Sequence, residues 1–277
     1  MSSMGRVFVS GMVLFAASVF GMPAWAGGEL QFKNVEVLTD SEAPRACFQF
    51  SGKLDGSGKT HYGDYVRIQP RDRAHAQTHR TAVRLDDSST IRYSGFDLGG
   101  RLVRNDLDVD IAGREASARI GGLYIAADGQ HIDNHLRVDH RVGPATSEQE
   151  YRGILGGRCR CVWNGKAIVH AGADGTDAQQ SNHNLLLSDR AEIDAKPELE
   201  IYADEVKCSH GTTVGQLDDS ALFYLRSRGL DKQDAMRALT RAFGASIVSH
   251  APVAVVADRL TEMVEQRLSA LTDGNEA

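Results

Sequence analysis

A cysteine and a histidine two residues apart, Cys208 and His210, are the residues of this chain whose types and spacing most directly suggest chemistry. They lie in the stretch ELEIYADEVKCSHGTTVG, Glu198 to Gly215, whose alternating polar and apolar residues predict a β-strand. Residues two apart on a strand share a face, so the thiol and the imidazole would lie side by side. A soft thiolate and a borderline imidazole together suit iron or an iron–sulfur cluster. Two ligands cannot hold a cluster alone, so we expect a partner chain to donate the others at an interface.

Catalysis by the same pair is disfavoured by its surroundings. A cysteine nucleophile and its histidine base need a third group to orient the imidazole, and none is evident near Cys208 and His210. The chain has no G-x-S-x-G elbow, no Walker A sequence and no G-x-G-x-x-G loop. We therefore expect neither a hydrolase nor a nucleotide-hydrolysing protein, and we predict that the chain is not an enzyme.

Two further polar stretches could bind a metal, but each has a simpler explanation. In His131-x-Asp133-Asn134-His135, the two histidines and the aspartate would share one face of a strand, as a metal site requires. A ladder of polar side chains on the outside of a sheet produces the same pattern, and we favour that explanation. Asn182-His183-Asn184 predicts hydrogen bonding in a turn and a ladder rather than ligation. Neither stretch has the helical spacing of a hydrolytic zinc site.

Length and composition predict a folded protein that does not bind nucleic acid. The 277 residues suffice for one large domain or two ordinary ones, and 42% of them are hydrophobic. The net charge of −6 and the absence of a basic run argue against nucleic acid as a partner. The four cysteines, Cys47, Cys159, Cys161 and Cys208, match no zinc spacing. Cys159 and Cys161 would share a strand face, and we predict that both are buried, reduced thiols.

The residues that must position Cys208 and His210 form a succession of short predicted strands between Ala82 and Gly215. Polar and apolar residues alternate, and turns separate the runs, as at Asp128-Gly129 and Asn164-Gly165. Periodicity alone is compatible with a sandwich, a barrel or a β-solenoid. The runs are TIRYSGFDLG, RLVRNDLDVDIAG, ASARIGGLYIA, HIDNHLRVDHR, CRCVWNGKAIVHAG, NHNLLL and ELEIYAD.

Three amphipathic helices are predicted after Gly215. Asp218 begins the first helix and Gly229 ends it, Asp231 caps the second, and Pro252 begins the third. These helices could cover the end of the β-rich body, or they could dock a partner. The first helix carries Leu222, Phe223 and Leu225, and the second carries one apolar stripe of Met236, Leu239, Phe243 and Ile247. In the third, the residues predicted to face inward are Val256, Leu260, Met263 and Leu268.

The N-terminus predicts export. Arg6 supplies a positive charge, residues 7–20 form an apolar run, and Ala24-Trp25-Ala26 is a small-x-small cleavage site, as in a secretory signal peptide. The run is shorter than the roughly 20 residues that span a bilayer, so no stable membrane span is expected. The strand-like runs that follow, LQFKNVEVL, ACFQFSGKL and YVRIQP, resemble the opening β-domain of bacterial alpha-2-macroglobulin-like proteins.

From about Arg73 onward the chain resembles the SufB/SufD family of iron–sulfur cluster assembly scaffolds, and its SufD branch in particular. The resemblance is carried by ELEIYADEVKCSHGTTVG, NHNLLLS, KPELEIYAD and FYLRSRG. It implies a mainly β chain, with a right-handed parallel β-helix over residues 73–216 and a helical region over residues 217–277. A signal-like helix over residues 1–26 and a short β-rich segment over residues 27–72 would precede them. A cytosolic scaffold does not fit this N-terminal part, so we predict a chimeric gene or a fusion, joined near Pro70 to Ala76.

The resemblance also implies a function: a scaffold subunit of the SufBCD complex that pairs with a SufB homologue and docks the SufC ATPase through its C-terminal helices. Cys208 and His210 would face SufB and share with it a site for entering iron or a nascent iron–sulfur cluster, with no tightly bound cofactor. The family implies a cytoplasmic protein, whereas the signal-like segment predicts the periplasm. The alternative hypothesis is an exported β-rich binding or protease-inhibitor-type protein.

Overall fold

The computed structural model describes residues 29–31, 51–54, 60–69, 76–248 and 254–273, most of which are β-structure. Residues 1–26, Cys47 and Pro252, which carry three of the predictions above, lie outside the described residues. The strands are β1 (Glu29–Gln31), β2 (Ser51–Leu54), β3 (Thr60–Gln69), β4 (Ala76–Leu85), β5 (Thr90–Asp97), β6 (Leu102–Ile111), β7 (Ser117–Ala126), β8 (His131–His140), β9 (Thr146–Leu155), β10 (Arg160–Val169), β11 (Asp177–Leu186), β12 (Glu192–Ile201) and β13 (Lys207–Gly215), and the helices are α1 (Asp219–Ser227), α2 (Lys232–Val248) and α3 (Ala254–Asp273).

The strands form two sheets, and successive strands from β3 onward alternate between them. One sheet has the order β1-β2-β3-β5-β7-β9-β11-β13, and the other has the order β12-β10-β8-β6-β4. Pairing is antiparallel from β1 to β3 and parallel thereafter, as when Leu102 pairs with His131 and His131 with Arg160. Two consecutive strands are therefore one coil of a parallel β-helix flattened between two sheets. The predicted parallel β-helix is confirmed, and neither a sandwich nor a closed barrel describes these residues.

Alternate residues of the parallel strands point into the space between the sheets and form the main core. On β10, Cys161, Trp163 and Ala167 are fully buried, whereas Arg160 on the other face is exposed. The rings of Tyr151 and Trp163 meet across this interior, with their centroids 6.2 Å apart. A slip of one residue would exchange the inner and outer faces of a strand, so this alternation fixes the register.

One turn prediction is confirmed and another is wrong. Asp128-Gly129 forms a turn in which Gly129 has a φ of +73°, a value that favours glycine. Asn164-Gly165 instead lies in the middle of β10. A Cβ atom on Gly165 would lie 2.4 Å from the ring of Trp163, so the glycine makes room for the indole rather than for a turn.

A buried ion pair joins the first parallel strands. Arg67 donates from Nη1 to Asp97 Oδ1 at 2.6 Å and from Nη2 to Oδ2 at 3.0 Å, and each residue is only 1% exposed. Tyr93 and Asn105 add hydrogen bonds to the pair at 3.2 and 3.0 Å. These added hydrogen bonds offset part of the cost of burying the two charges. Since Arg67 belongs to β3, the parallel pairing extends N-terminal to the boundary predicted at residue 73.

Helices α2 and α3 pack on the outer face of the larger sheet rather than over the end of the β-helix. They form a second apolar cluster with outward-facing residues of β5, β7 and β9 such as Phe96, Leu123 and Ile154. Arg152 fixes α2 by donating to the Phe243 carbonyl at 2.9 Å and placing its guanidinium 5.0 Å from that ring centroid. Of the two roles considered for these helices, covering the end of the body is therefore wrong for α2 and α3.

The inward stripe predicted for α2 is only partly correct. Ile247 is buried and Phe243 packs against the second cluster, but Met236 and Leu239 are only half-buried. The face most deeply buried carries Ala235, Thr240, Gly244, Ile247 and Val248. Gly244 permits this close approach, since a Cβ atom there would lie 3.5 Å from Ile154. For α3 the prediction is confirmed at Leu260 and Leu268, which are buried, and at Met263, which packs beside them.

Candidate functional site

Cys208 and His210 lie on the last strand of the β-helix and face the same side, as predicted. Among the described strands, β13 ends the larger sheet and pairs with β11, so that Ala178 lies beside Cys208 and Gln180 beside His210. Ala178 and Gln180 point into the interior, and the two site residues continue that inner row. No further coil covers the row among the described residues. As a result, Cys208 is half-buried and His210 is exposed.

Free strand edges and exposed apolar side chains surround Cys208 and His210. Strand β12 ends the smaller sheet as β13 ends the larger one, so both strands present a free edge at the same end of the β-helix. Large apolar side chains are exposed there, with Tyr202 at 62%, Val214 at 51% and Ile201 at 43%. A free strand edge offers unpaired backbone donors and acceptors to another chain. This end can therefore accept a partner both through backbone pairing and through apolar contact.

Partial burial favours the neutral thiol of Cys208 over its thiolate. Partial desolvation raises the pKa of Cys208, the carboxylate of Asp177 raises it further, and a hydrogen bond with the Ala178 backbone lowers it. The thiolate is the form that binds metals, so ligation here would have to release a proton. A positive charge brought by an arriving cation would favour that release.

His210 borders a groove of about 770 Å³ that is open to solvent on one side. Two glutamines, Gln149 and Gln180, line the same groove although they are only 1% and 3% exposed. All four of their amide nitrogen and oxygen atoms lack a hydrogen-bond partner among the described residues. Neither glutamine was predicted as a site residue. Strand alternation could have shown that both occupy inward positions, but it could not have shown that they lie beside His210.

The stretch from His131 to His135 is a polar ladder on the outer face of β8, as favoured. Arg104 Nη1 lies 2.5 Å from Asp133 Oδ2, and His135 Nε2 lies 2.9 Å from Asp133 Oδ1. The aspartate thus bridges neighbouring polar side chains on the sheet surface. Within the described ranges, no three His, Cys, Asp or Glu side chains are grouped so that they could hold a metal ion.

The Asn182-His183-Asn184 stretch lies within β11, so the prediction of a turn is wrong and that of a hydrogen-bonded ladder is confirmed. Asn184 Nδ2 donates to Asn182 Oδ1 at 2.6 Å, and Asn182 Nδ2 donates to the Tyr124 hydroxyl at 3.2 Å. The Tyr124 hydroxyl in turn donates to Asn184 Oδ1. His183 faces the other way and lies 2.9 Å from Thr213 Oγ1. These asparagines fill the interior with satisfied polar groups behind β13.

The two neighbouring cysteines are buried and free, as predicted. Cys159 is 3% exposed and Cys161 is fully buried, and neither forms a disulfide. Burial raises the pKa of Cys161, which suits an unreactive interior thiol. Of the described cysteines, Cys208 is therefore the one with access to solvent.

Fold and site together define a class: a parallel β-helix protein with helices on one face, and with a thiol–imidazole pair at a free strand edge. Comparison with known proteins identifies the family. The family model for the SUF system of FeS cluster assembly, SufBD core domain, matches residues 59–243, and the chain belongs to that family.

Several curated relatives are similar to this chain. The iron–sulfur cluster assembly protein SufD of Escherichia coli is 38% identical over 174 residues, which cover 63% of this chain and 41% of the relative. A SufBD-family protein of Mycobacterium leprae is 36% identical over 206 residues, which cover 72% of this chain and 52% of the relative. A SufBD-family protein of Mycobacterium bovis is 36% identical over 258 residues, which cover 90% of this chain and 60% of the relative. The chain thus spans about half the length of these relatives. The chimeric origin of residues 1–70 stays a prediction.

Proposed function

We propose that this chain is a scaffold subunit for iron–sulfur cluster assembly, which contributes Cys208 and His210 to a site completed by a second protein. The observation that carries the proposal is the position of this pair on β13, in the inner row of the β-helix but at a free edge. A ligand pair meant for a site within one chain would have further ligands nearby. A pair at an edge can instead be completed by whatever chain docks there.

The partner that fits this end of the molecule is a SufB homologue, a protein with a β-helix of its own. Free edges on both β12 and β13 favour a partner that also ends in strands, because each sheet can then continue across the interface. The exposed Tyr202 and Val214 would supply apolar contact around the shared site. Iron or a nascent cluster would be held there transiently as cargo, and the chain would act as a scaffold rather than as an enzyme.

Replacing His210 tests the proposal. In the complete complex with its SufB and SufC homologues, His210→Ala should lower the rate of cluster assembly at least roughly ten-fold, because altering even the groups that orient a metal ligand has effects of that size. The measurement is the rise of cluster absorbance with a fixed supply of iron and sulfide donor. A matched control is His183→Ala, which removes an outward-facing histidine from the neighbouring strand. Equal rates for His210→Ala and the parent would rule the proposal out.

Helix α1 is the surface that best fits the ATPase partner. None of its residues is buried, and Phe223 and Tyr224 are 74% and 55% exposed. Its start is fixed by the Asp218 side chain, which accepts from the Ser220 N–H at 2.8 Å, and Leu222 and Leu225 on the same helix are half-buried. An ordered helix with adjacent exposed aromatic residues is typical of a docking surface.

The double variant Phe223→Ala/Tyr224→Ala should weaken binding of a SufC-type ATPase at least roughly thirty-fold, since a single aromatic hot spot commonly contributes about 2 kcal/mol. The dissociation constant can be measured by titrating purified ATPase into the full 277-residue chain. Tyr202→Ala serves as the control, because it removes an exposed aromatic residue from the other surface. It should weaken SufB pairing and leave ATPase binding unchanged. The reverse pattern would contradict the assignment of the two surfaces.

A further inference from the structure

The inner row of the larger sheet places two buried amides directly behind His210. The parallel register sets Gln149 beside Gln180 and Gln180 beside His210, on β9, β11 and β13. Neighbouring strands are about 4.8 Å apart, so side chains of this length on the same face can reach one another. All three residues are therefore neighbours in one inward row, and they also lie among the residues that border the groove.

The unpaired amides of Gln149 and Gln180 lower the stability of the fold. A buried polar group without a hydrogen-bond partner destabilises a fold by about 1–3 kcal/mol. The nearby asparagines Asn182 and Asn184 satisfy each other, which shows that polar groups in this interior can be paired. The glutamine amides instead keep their donors and acceptors unused, next to an exposed residue that has ring nitrogens to bond.

An imidazole that binds a metal through one nitrogen needs an acceptor for the N–H on the other. That acceptor fixes the tautomer and the orientation of the ring, and it is commonly a carboxylate, a carbonyl or a water. A glutamine carbonyl is such a group. A ladder in which the Gln180 amide N–H donates to the Gln149 carbonyl would turn the Gln180 carbonyl toward His210.

We propose that Gln180, held by Gln149, is the positioning residue of His210: its carbonyl accepts from one ring N–H and leaves the other nitrogen free for iron. The proposal rests on the proposed function, because it gives His210 the role of a ligand. It adds a residue that belongs to neither the cysteine–histidine pair nor the partner. It also explains why two amides are buried in a row that is otherwise suited to apolar residues.

The tautomer of His210 in the full, metal-free chain tests the proposal. Two-bond proton–nitrogen correlation spectra of protein with ¹⁵N-labelled histidine report which ring nitrogen carries the proton, and His210→Gln identifies the signal. In the parent we expect about a ten-fold excess of one tautomer, which is the effect of one hydrogen bond. Gln180→Met should abolish that excess, whereas Gln180→Glu, which keeps an acceptor, should retain it.

The control is Gln179→Met, one residue earlier on the same strand but on the outer face, where Gln179 accepts a hydrogen bond from Ser209. It should leave the His210 tautomer unchanged. Thermal unfolding should show that Gln180→Met still unfolds cooperatively, because methionine fills a similar volume, so that a lost tautomer preference reports the missing carbonyl and not a lost fold. An unaltered tautomer in Gln180→Met, or a parent without an excess, overturns the proposal.

The two proposals can fail separately. A lost tautomer preference in Gln180→Met together with normal assembly by His210→Ala would uphold the positioning contact and remove the proposed function. Loss of assembly in His210→Ala together with an unchanged tautomer in Gln180→Met would uphold the proposed function and remove the positioning contact.

Discussion

His140 is a histidine that the fold keeps neutral. It lies at the end of β8 with 0% exposure, and its Nε2 is 2.8 Å from Ser147 Oγ. Burial lowers the pKa of His140 from 6.5 to about 4; the nearby Asp139 opposes this change and His170 adds to it. In the unfolded chain the same ring would be protonated at a higher pH than in the folded protein, so acid favours unfolding.

The unfolding free energy should therefore fall as the pH is lowered from about 6.5 to 4. The folded-state pKa is the lower one, so this contribution is complete above pH 6.5 and is lost toward pH 4; it amounts to at most roughly 3 kcal/mol. His140→Gln should remove most of that loss, while His183→Gln on the outer face should not. Urea unfolding at pH 7 and pH 4.5 measures the difference. An equal loss in the parent and His140→Gln would contradict the assignment.

At the same scale, the sequence predicted one half of the candidate site and not the other. Cys208 and His210 could be predicted because residue type and spacing suffice to place two side chains on one face of a strand. The contribution of Gln149 and Gln180 could not be predicted, because their relation to His210 depends on which strands are neighbours. That relation arises from coils about thirty residues apart along the chain, and no local pattern reports it.

Strand β7 shows how strictly the two faces of one element differ. Gly121 and Gly122 are adjacent, but they point to opposite sides of the sheet. A Cβ atom on Gly122 would lie 2.1 Å from the buried ring of Tyr151, whereas one on Gly121 would have its nearest neighbour, the Glu150 carbonyl oxygen, at 3.7 Å. The first position has no room for a methyl group, and the second has enough.

Gly122→Ala should therefore destabilise the protein by about 1–3 kcal/mol, the usual effect of overpacking a core, because the Tyr151 ring would have to move. Gly121→Ala should change the unfolding free energy by no more than about 0.5 kcal/mol. Urea unfolding of both variants against the parent is the measurement. Similar effects of the two substitutions would show that the inner and outer faces are wrongly assigned.

Most elements could be predicted from the sequence, because alternation along strands and capping aspartates at helix starts are local signals. The predictions that were wrong concern residues whose conformation is set by tertiary contacts. Asn164-Gly165 has the composition of a turn, yet Trp163 makes use of its missing side chain inside a strand. The buried face of α2 is shifted because Gly244, which looks like a weak helix former, allows the helix to approach the sheet.

For the molecule as a whole, the proposed function requires the chain to be in the cytoplasm, where SufB and SufC partners would be. No helix in the described ranges is long and apolar enough to cross a membrane. We expect N-terminal sequencing of the protein from fractionated cells to find it in the cytoplasmic fraction, without cleavage after Ala26. A mature protein that begins at Gly27 in the periplasm would contradict the scaffold proposal and favour an exported binding protein.

The packing of α2 and α3 on the side of the β-helix has a consequence for biosynthesis. Phe96, Leu123 and Ile154 belong to one apolar cluster with residues of α2 and α3, such as Ile247 and Leu260, which are synthesised later. At translation rates of 5–20 residues per second, a nascent chain would expose this apolar band for on the order of ten seconds. The band resembles the transient surfaces that chaperones bind, so the newly made protein should depend on them until α2 and α3 have left the ribosome.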